Sequence, residues 1–488
     1  MRKYDVIVVG GGVVGCAVAW YLAHFSLDIL LVEKEKDVCV GVSKANTGIL
    51  HSRSYYTPGT LKGEMHLRSL SWFERAFREL DVRPLRCGAL TLAFLREEVR
   101  YLSDLKKVGN IEGADILTPQ EVMEKEPQVN PKIYAGYFDP QAMVVPPFAL
   151  TIALAEGAAL NGVEMVFEKE VVAFESRKEA VRVRCRDGTE YLGHFVVNCA
   201  GLHSSRLAQT SGDRVPSLYL FRGQYLVLDR DCQGFVRHVL YPVPRQESKG
   251  ILVSPTPEGN LLLGPNFERV SREDTATTFK GLEEVEKGAR KLVPGLPLEK
   301  VIANFSGVRP TLPQRDFYIA FSPSMSHIVN AVGIESPGLT ACFGIAEYIG
   351  ELLQGRGLPL RERQGFLPRI SPPVFRECTL REREELILED PDWGKVICRC
   401  EEVTLAEVKR ALSSNPPART LDGLKRRIRV MAGRCQGSFC GMHLPAILER
   451  ECGIPPEAIV KSGPDSFYVL RREGGKRTCP GTMSLRWS

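Results

Sequence analysis

Short apolar runs, helix-period patterns and glycine breaks alternate through the first third of the chain. Tyr4–Val9 (YDVIVV) is β-branched and almost uninterrupted, the composition of a strand buried on both faces. It runs into Gly10-Gly11-Gly12-Val13-Val14-Gly15, then a helical pattern (CAVAWYLAHF), then a second apolar run, Ile29–Val32, ending on Glu33. That succession predicts a βαβ unit of a parallel sheet. An amphipathic helix follows (HLRSLSWFERAFREL). Arg86–Tyr137 reads as an insertion: a strand (GALTLAF), a charged helix (REEVRYLSDLKKVG) and a polar helix opening at Thr118-Pro119. Phe148–Asn161 reads as a helix, and Val163–Phe174 and Ala180–Arg186 as strands, with Asp187-Gly188 as the hairpin turn. Phe195–Ala200 (FVVNCA) is a further buried strand, closing on Gly201.

Between Leu218 and Phe305 come strand-like runs (GQYLVLD, GILVSP, NLLLGPN) separated by proline and glycine turns, then a helical run over Thr278–Leu292. An antiparallel sheet capped by helices is the natural reading. At Ile328–Leu353 a strand (HIVNAVG) meets a glycine loop and a long helix, so a second helix N-terminus is available to an anionic group. Gln354–Trp393 is rich in Pro, Arg and Glu and reads as a linker carrying one charged helix (REREELIL). From Val396 to Cys452 a compact unit is expected. Thr404-Leu405-Ala406-Glu407 is a capping box, Asn415-Pro416-Pro417 ends that helix, Thr420 starts a basic one, and Gly441–Cys452 is a third.

Length changes this picture by requiring two or three cores for 488 residues. A net charge of +5 points to no nucleic-acid partner. The nucleotide motif begins too early to leave room for a leader, and no stretch of about eighteen apolar residues lacks a charge. A cytoplasmic protein is expected, with peripheral membrane contact only through partners. Of fourteen cysteines, Cys16, Cys39, Cys87, Cys185, Cys199, Cys232 and Cys342 stand singly and read as small buried hydrophobes. Cys398, Cys400, Cys435 and Cys440 form two tight pairs, which in a cytosolic chain suggest metal rather than disulfides.

The first glycines carry the clearest chemistry. Gly10 permits a tight turn, Gly12 lets a pyrophosphate approach the backbone, and Gly15 lets helix and strand pack closely. The helix N-terminus then offers free N–H groups to phosphate. Glu33, eighteen positions beyond Gly15, stands where a carboxylate takes ribose hydroxyls. The motif alone leaves NAD and FAD both open. His51 is the sole histidine of the polar segment from Ser43 to Lys62. On its own it reads as a histidine satisfied by local hydrogen bonds.

Taken together, four motifs resemble those of the FAD-dependent oxidoreductases of the D-amino-acid oxidase and glycerol-3-phosphate dehydrogenase superfamily. They are Gly10–Gly15 with Glu33, Asn46–His51, Asn198-Cys199-Ala200-Gly201, and Gly333–Thr340 (GIESPGLT), and the resemblance covers residue 1 to about 355. It is strongest to glycerol-3-phosphate dehydrogenases and L-2-hydroxyglutarate oxidases, through NTGILH…YYTPGTLK, FRGQY (Phe221–Tyr225), YPVP (Tyr241–Pro244) and GPN (Gly264–Asn266). It implies FAD, since nicotinamide dehydrogenases lack the second and third motifs. It places cofactor contacts at Gly10, Gly12, Val13, Val14, Gly15, Glu33, Lys34, Ser43, Asn46, Thr47, Gly48, Val172, Ala200, Gly201, Gly307, Gly338, Leu339 and Thr340.

Gly307-Val308-Arg309-Pro310 matches the family's G-x-R-P element, so Arg309 is implied as the holder of the substrate's anionic group. The competing reading is a structural arginine paired with a buried acid. His51 becomes the base that takes an alcohol proton, with Tyr55 and Tyr241 as weaker substrate contacts. The implied reaction is oxidation of sn-glycerol 3-phosphate to dihydroxyacetone phosphate. Alternatives are a 2-hydroxy acid of the L-2-hydroxyglutarate type, an amine or amino acid, or a role as an electron-transfer subunit of a larger flavoprotein complex.

The C-terminal unit separately resembles the [2Fe-2S] domain of bacterioferritin-associated ferredoxin type (VICRCEEVT, TLDGLKRRIR, GRCQGSFCG). Cys398, Cys400, Cys435 and Cys440 are the implied ligands, with a four-cysteine zinc site as competitor. Electrons would leave through the cluster to an accepting partner subunit. Lys425, Arg426, Arg427, Arg429 and Arg434 read as a solvated face, as a dock for an acidic electron-transfer partner, or as charges that lower the electrostatic cost of a negatively charged cluster.

The expected fold class is α/β: a Rossmann-like FAD-binding domain with an interleaved antiparallel-sheet substrate domain and a small, mainly helical iron–sulfur domain. The expected boundaries are 1–355 for the oxidoreductase domain, with FAD-binding parts about 1–80, 140–215 and 305–355 and cap parts about 81–139 and 216–304. A linker at 356–392, the cluster domain at 393–455 and a tail at 456–488 complete the chain. Residues 462–488, Cys479 included, suggest only a docking tail.

Overall fold

The opening apolar run becomes the central strand of its sheet. In a computed structural model, Val6, Ile7 and Val8 of the strand Lys3–Val9 are fully buried. Both edges of this strand are taken by parallel neighbours, Ile29–Val32 on one side and Phe195–Asn198 on the other. The structure describes residues 2–244, 250–463, 465–468, 471–473 and 476–478. Its contacts define two units, Met1–Lys34 with Val38–Ser371, and Glu35–Asp37 with Pro372–Ser488.

In the first unit one sheet runs Tyr318–Phe321, Ile328–Val332, Glu190–Asn198, Lys3–Val9, Ile29–Val32, Glu164–Val166. All but the first of these strands are parallel to their neighbours. The helices Val13–Leu22, Leu61–Leu80, Pro147–Leu160 and Gly338–Gly355 bury their apolar faces in one core with it, around Trp20, Phe73, Leu150 and Phe343. Each such side chain contributes about 1.5–3 kcal/mol by leaving water. The run Val163–Phe174, expected as one strand, is two. Glu164–Val166 joins the parallel sheet and Val171–Arg177 pairs with Ala180–Cys185. Between them the chain wraps Glu33, whose N–H donates to the Val166 carbonyl and whose carbonyl accepts from Lys169, with Glu168 at φ 58°.

The second sheet is mainly antiparallel, as the turn-rich pattern predicts. Tyr219–Leu228 pairs along its length with Val301–Thr311. The path continues through Leu261–Gly264, Leu252–Pro255 and Val239–Pro242 to Ala89–Ala93 and Ala135–Asp139, so the early insertion and the later strands build one layer. The helix Phe279–Leu292, capped by Thr278, covers it with Val285, Ala289 and Leu292.

In the second unit Thr404 and Glu407 form the expected reciprocal cap at the head of Leu405–Ser413. Leu421–Ile428 and Leu444–Cys452 follow around a core of Val408, Leu424, Leu444 and Leu448. Part of the stretch read as linker packs here: Trp393 is fully buried with Phe375 and Ala406, and Leu386 lies against them. Arg471–Glu473 and Lys476–Thr478 pair antiparallel, while Cys479 and the last residues lie outside the described residues. Among the described residues no helix is long and apolar enough to cross a membrane.

Candidate active site

The glycines at the mouth of Val13–Leu22 are required for two different reasons. A Cβ on Gly10 would strike the Cys199 carbonyl, and one on Gly15 would overlap the Gly10 carbonyl oxygen. Both glycines therefore serve packing within the protein. Gly12 has an ordinary extended backbone, and a Cβ there would meet only Ser43 Oγ, at 3.2 Å. At Gly201 a Cβ would meet nothing within 4 Å. A cradle left open on the ligand side at Gly12 and Gly201, above a helix N-terminus, fits a pyrophosphate. Ser43 Oγ accepts from Val13 N–H at 2.9 Å, and the buried Glu33 carboxylate accepts from Gly11 N–H. Lys34 is exposed and 3.2 Å from His203 Nε2.

Asn46 shapes the next loop: its Nδ2 donates to the Ser43 carbonyl and its Oδ1 accepts from Gly48 N–H, each at 2.8 Å. Thr47 lies between them. Gly307 lies against Ala45, and Ala200 N–H donates to Asn198 Oδ1. Val172 is on the Val171–Arg177 strand, part of the three-stranded antiparallel extension of the parallel sheet.

The loop delivers His51, which is buried. Its N–H donates to Thr340 Oγ1 at 3.0 Å, and Thr340 Oγ1 donates to the Ile49 carbonyl. His66 Nε2 meets the His51 carbonyl at 2.9 Å. The second glycine loop and its helix, Gly338–Gly355, thus hold the His51 strand directly. At the head of that helix the first α-type bond runs from Ala341 to Pro337, which leaves the N–H groups of Leu339 and Thr340 ahead of the intrahelical ladder.

Tyr55 and Tyr241 join His51, with ring centroids 5.5 Å and 6.3 Å from the imidazole and 5.0 Å from each other. The Tyr241 hydroxyl is 3.3 Å from His51 Nδ1, while the Tyr55 hydroxyl pairs with Thr91 Oγ1 at 2.8 Å. Burial holds both phenols well above the ordinary tyrosine range.

Arg309 is in another part of the same sheet, opposite Phe221. Its guanidinium is 5.8 Å from the Phe267 ring and reaches the Tyr225 hydroxyl, whose pKa is raised by burial against the pull of that cation. Among the described residues it has no carboxylate partner. Nearby Arg222 is the contrast, tied to Glu268 at 2.9 Å and Asp274 at 3.2 Å. Tyr225 was visible in sequence only as the end of FRGQY, and Phe267 gave no signal.

In the second unit the four cysteines come together. Cys400 Sγ is 3.8 Å from Cys398 Sγ and 3.7 Å from Cys435 Sγ, and Cys398 hydrogen-bonds Cys440. That bond to Cys440 and then burial push the Cys398 thiol up, and burial pushes Cys400 up to about 12. Cys435 is drawn down mainly by the Phe439 N–H, and Cys440 by Cys398. Among the described residues no group of three His, Cys, Asp or Glu is arranged to hold one metal ion, whereas four thiols strung in contact fit a binuclear cluster. The loops are held by a carboxylate that sequence reasoning missed. Buried Glu401 takes Arg376 at 2.7 Å and Arg429 at 2.8 Å. Within the basic stretch Arg426 and Arg427 are not solvated, because they close on Asp37 at 3.0 Å and 2.6 Å, whereas Arg434 is exposed.

This combination of an open phosphate cradle, a sheet-roofed histidine and a four-thiol centre agrees with comparison to known proteins. Residues 5–352 match the FAD dependent oxidoreductase family, and residues 396–450 match the BFD-like [2Fe-2S] binding domain. The chain belongs to the FAD dependent oxidoreductase family and carries a [2Fe-2S] domain; FAD and the cluster are its cofactors, as expected. Within the family it is 36% identical over 471 residues to the glycerol 3-phosphate dehydrogenase of Caloramator mitchellensis, covering 96% of this chain and 98% of that one. It is 30% identical to human mitochondrial L-2-hydroxyglutarate dehydrogenase over 72% of this chain and 89% of that one. The solved structure of L-alpha-glycerophosphate oxidase from Mycoplasma pneumoniae with FAD bound superposes with a TM-score of 0.72 at 27% identity, over 76% of this chain and all of the other.

Proposed function

We propose that this enzyme oxidises sn-glycerol 3-phosphate to dihydroxyacetone phosphate and passes the electrons through its [2Fe-2S] domain to a partner subunit. The observation that carries the substrate is Arg309: a half-buried guanidinium among aromatic side chains, without a carboxylate among the described residues. Its planar fork matches two phosphate oxygens, and a phosphate would supply the missing counter-charge. The 36% identity to a glycerol 3-phosphate dehydrogenase supports the same choice.

His51 acts as the base. The base role requires the tautomer in which Nδ1–H donates to the Tyr241 oxygen, which leaves Nε2 unprotonated to take the substrate's hydroxyl proton. Thr340 and His66 fix the backbone of that residue, and Tyr55 and Tyr241 wall the imidazole from water. Bound FAD supplies hydride acceptance and the cluster one-electron transfer. Gly10–Gly15, Glu33, Ser43, Gly201 and the first turn of Gly338–Gly355 would hold FAD. Cys398, Cys400, Cys435 and Cys440 would hold the cluster.

Anaerobic addition of sn-glycerol 3-phosphate to the purified protein should bleach the flavin absorbance, and the reduced protein should give the paramagnetic signal of a [2Fe-2S] centre. Bleaching by L-2-hydroxyglutarate but not by glycerol 3-phosphate defeats the substrate choice. A colourless C-terminal fragment containing zinc defeats the cluster ligands.

A further inference from the structure

Near His51 lies a buried carboxylate that no cation among the described residues offsets. Asp139, at the end of the strand Ala135–Asp139, is fully buried. Its Oδ2 accepts from the Ser52 hydroxyl and its Oδ1 from Gln141 N–H at 2.9 Å. Among the described residues no Lys, Arg or His pairs with it. Other buried acids are better served. Asp37 and Glu401 each take two arginines, and cation-free Asp213 takes three neutral donors, from Ser322, Ser324 and Asn330. A carboxylate buried with only two neutral donors is a cost that folding alone does not call for.

The surroundings say what the charge faces. Ser52 follows His51 in the chain. Tyr55 and Tyr241, the two rings against His51, both lie in the field of Asp139, which adds to burial in keeping their protons on. The other titratable neighbours among the described residues are Tyr101, Tyr137 and Cys87, each pushed further above its ordinary range by burial, and His66, on the His51 carbonyl.

We propose that Asp139 is a positioning residue of the reaction: through Ser52 it holds the His51 segment, and its negative charge stabilises the imidazolium formed when Nε2 takes the substrate's hydroxyl proton. The inference rests on the base role of His51. In that step the substrate O–H bond breaks and an N–H bond forms, so a positive charge appears on the imidazole as the reaction proceeds. A weaker assignment is that Asp139 only shapes its turn through Gln141.

The test is a histidine titration of the full-length holoprotein labelled at the imidazole Cε1. There are eight histidines, and the His51 signal is identified by its loss in His51→Gln. In Asp139→Asn the His51 midpoint should fall by about one pH unit, and the acid limb of kcat/KM should move down with it. Ser52→Ala keeps the charge; it should lower kcat several-fold and leave the midpoint in place. An unmoved midpoint in a flavin-replete Asp139→Asn overturns the proposal, as does an equal fall in Ser52→Ala. Loss of flavin in both Asp139→Asn and Asp139→Ser makes the residue architectural and overturns it too. Failure of glycerol 3-phosphate to reduce the wild-type protein is a separate result, because the titration uses no substrate.

Discussion

At one end of the candidate site, Gly10 to Gly15 act through the backbone, in six consecutive residues between a strand and a helix. At the other end, His51, Tyr225, Tyr241 and Arg309 come from separate strands or the loops beside them and act through side chains. The first construction depends on the absence of side chains; the second depends on which cations, phenols and carboxylates are left without an ordinary partner. The comparison teaches that disruption should look different at each end. A change at the glycines should take fold and cofactor together or cofactor alone. A change at the side-chain end should spare the cofactor and remove turnover.

The sharpest break is expected at Gly15, where any side chain overlaps the Gly10 carbonyl. Gly15→Val should cost more than about 3 kcal/mol and yield protein without flavin or a cooperative thermal transition; a folded, yellow variant would show the packing argument to be mistaken. Next comes Arg309→Ala, for which kcat/KM with glycerol 3-phosphate should fall on the order of 10²- to 10³-fold, with flavin content unchanged. Equal loss of flavin and substrate binding would instead make Arg309 structural. Gly12→Ala separates the two glycine roles. Its methyl enters the open cradle, so the melting temperature of the apoprotein should hold while FAD affinity drops about tenfold, as for one strong hydrogen bond lost.

The smallest effect is expected at Tyr241. Tyr241→Phe should lower kcat a few-fold by releasing the His51 tautomer. It should also flatten the alkaline loss of stability. A phenol held above its ordinary value in the folded state is fully stabilising below that value and loses its contribution as pH rises past it. The wild-type protein should therefore lose about 1 kcal/mol per pH unit per buried tyrosine above pH ~10, and the variant less. Chemical denaturation at pH 9 and pH 11 measures the difference.

The same contrast explains what could be read from the chain in advance. The glycine motif, the FVVNCAG strand end and the cysteine pairs are local, and their spacing encodes their geometry. The Thr404–Glu407 box was legible for the same reason, since its partners are three residues apart. Ser52 with Asp139, and Asp37 with Arg426 and Arg427, are separated by 87 residues or more, and nothing in either partner's neighbourhood announces the other. The misread strand at Val163–Phe174 failed on a related point. Glu168-Lys169-Glu170 interrupt its apolar pattern, and there the backbone of Glu33 claims Val166 and Lys169 and turns the chain. The basic stretch near Lys425 looked like a surface because charge is visible in sequence and burial is not.

Thr340 carries a consequence for how such an enzyme can change over generations. Its hydroxyl spans 289 residues of sequence to meet the His51 N–H, and it forms no part of the proposed chemistry. Valine has the same shape and would pack equally well, yet it offers no acceptor. Insertions can accumulate in the loops between the two positions without touching this contact, whereas one oxygen-for-methyl exchange removes it. At such a position serine should be tolerated and valine should not.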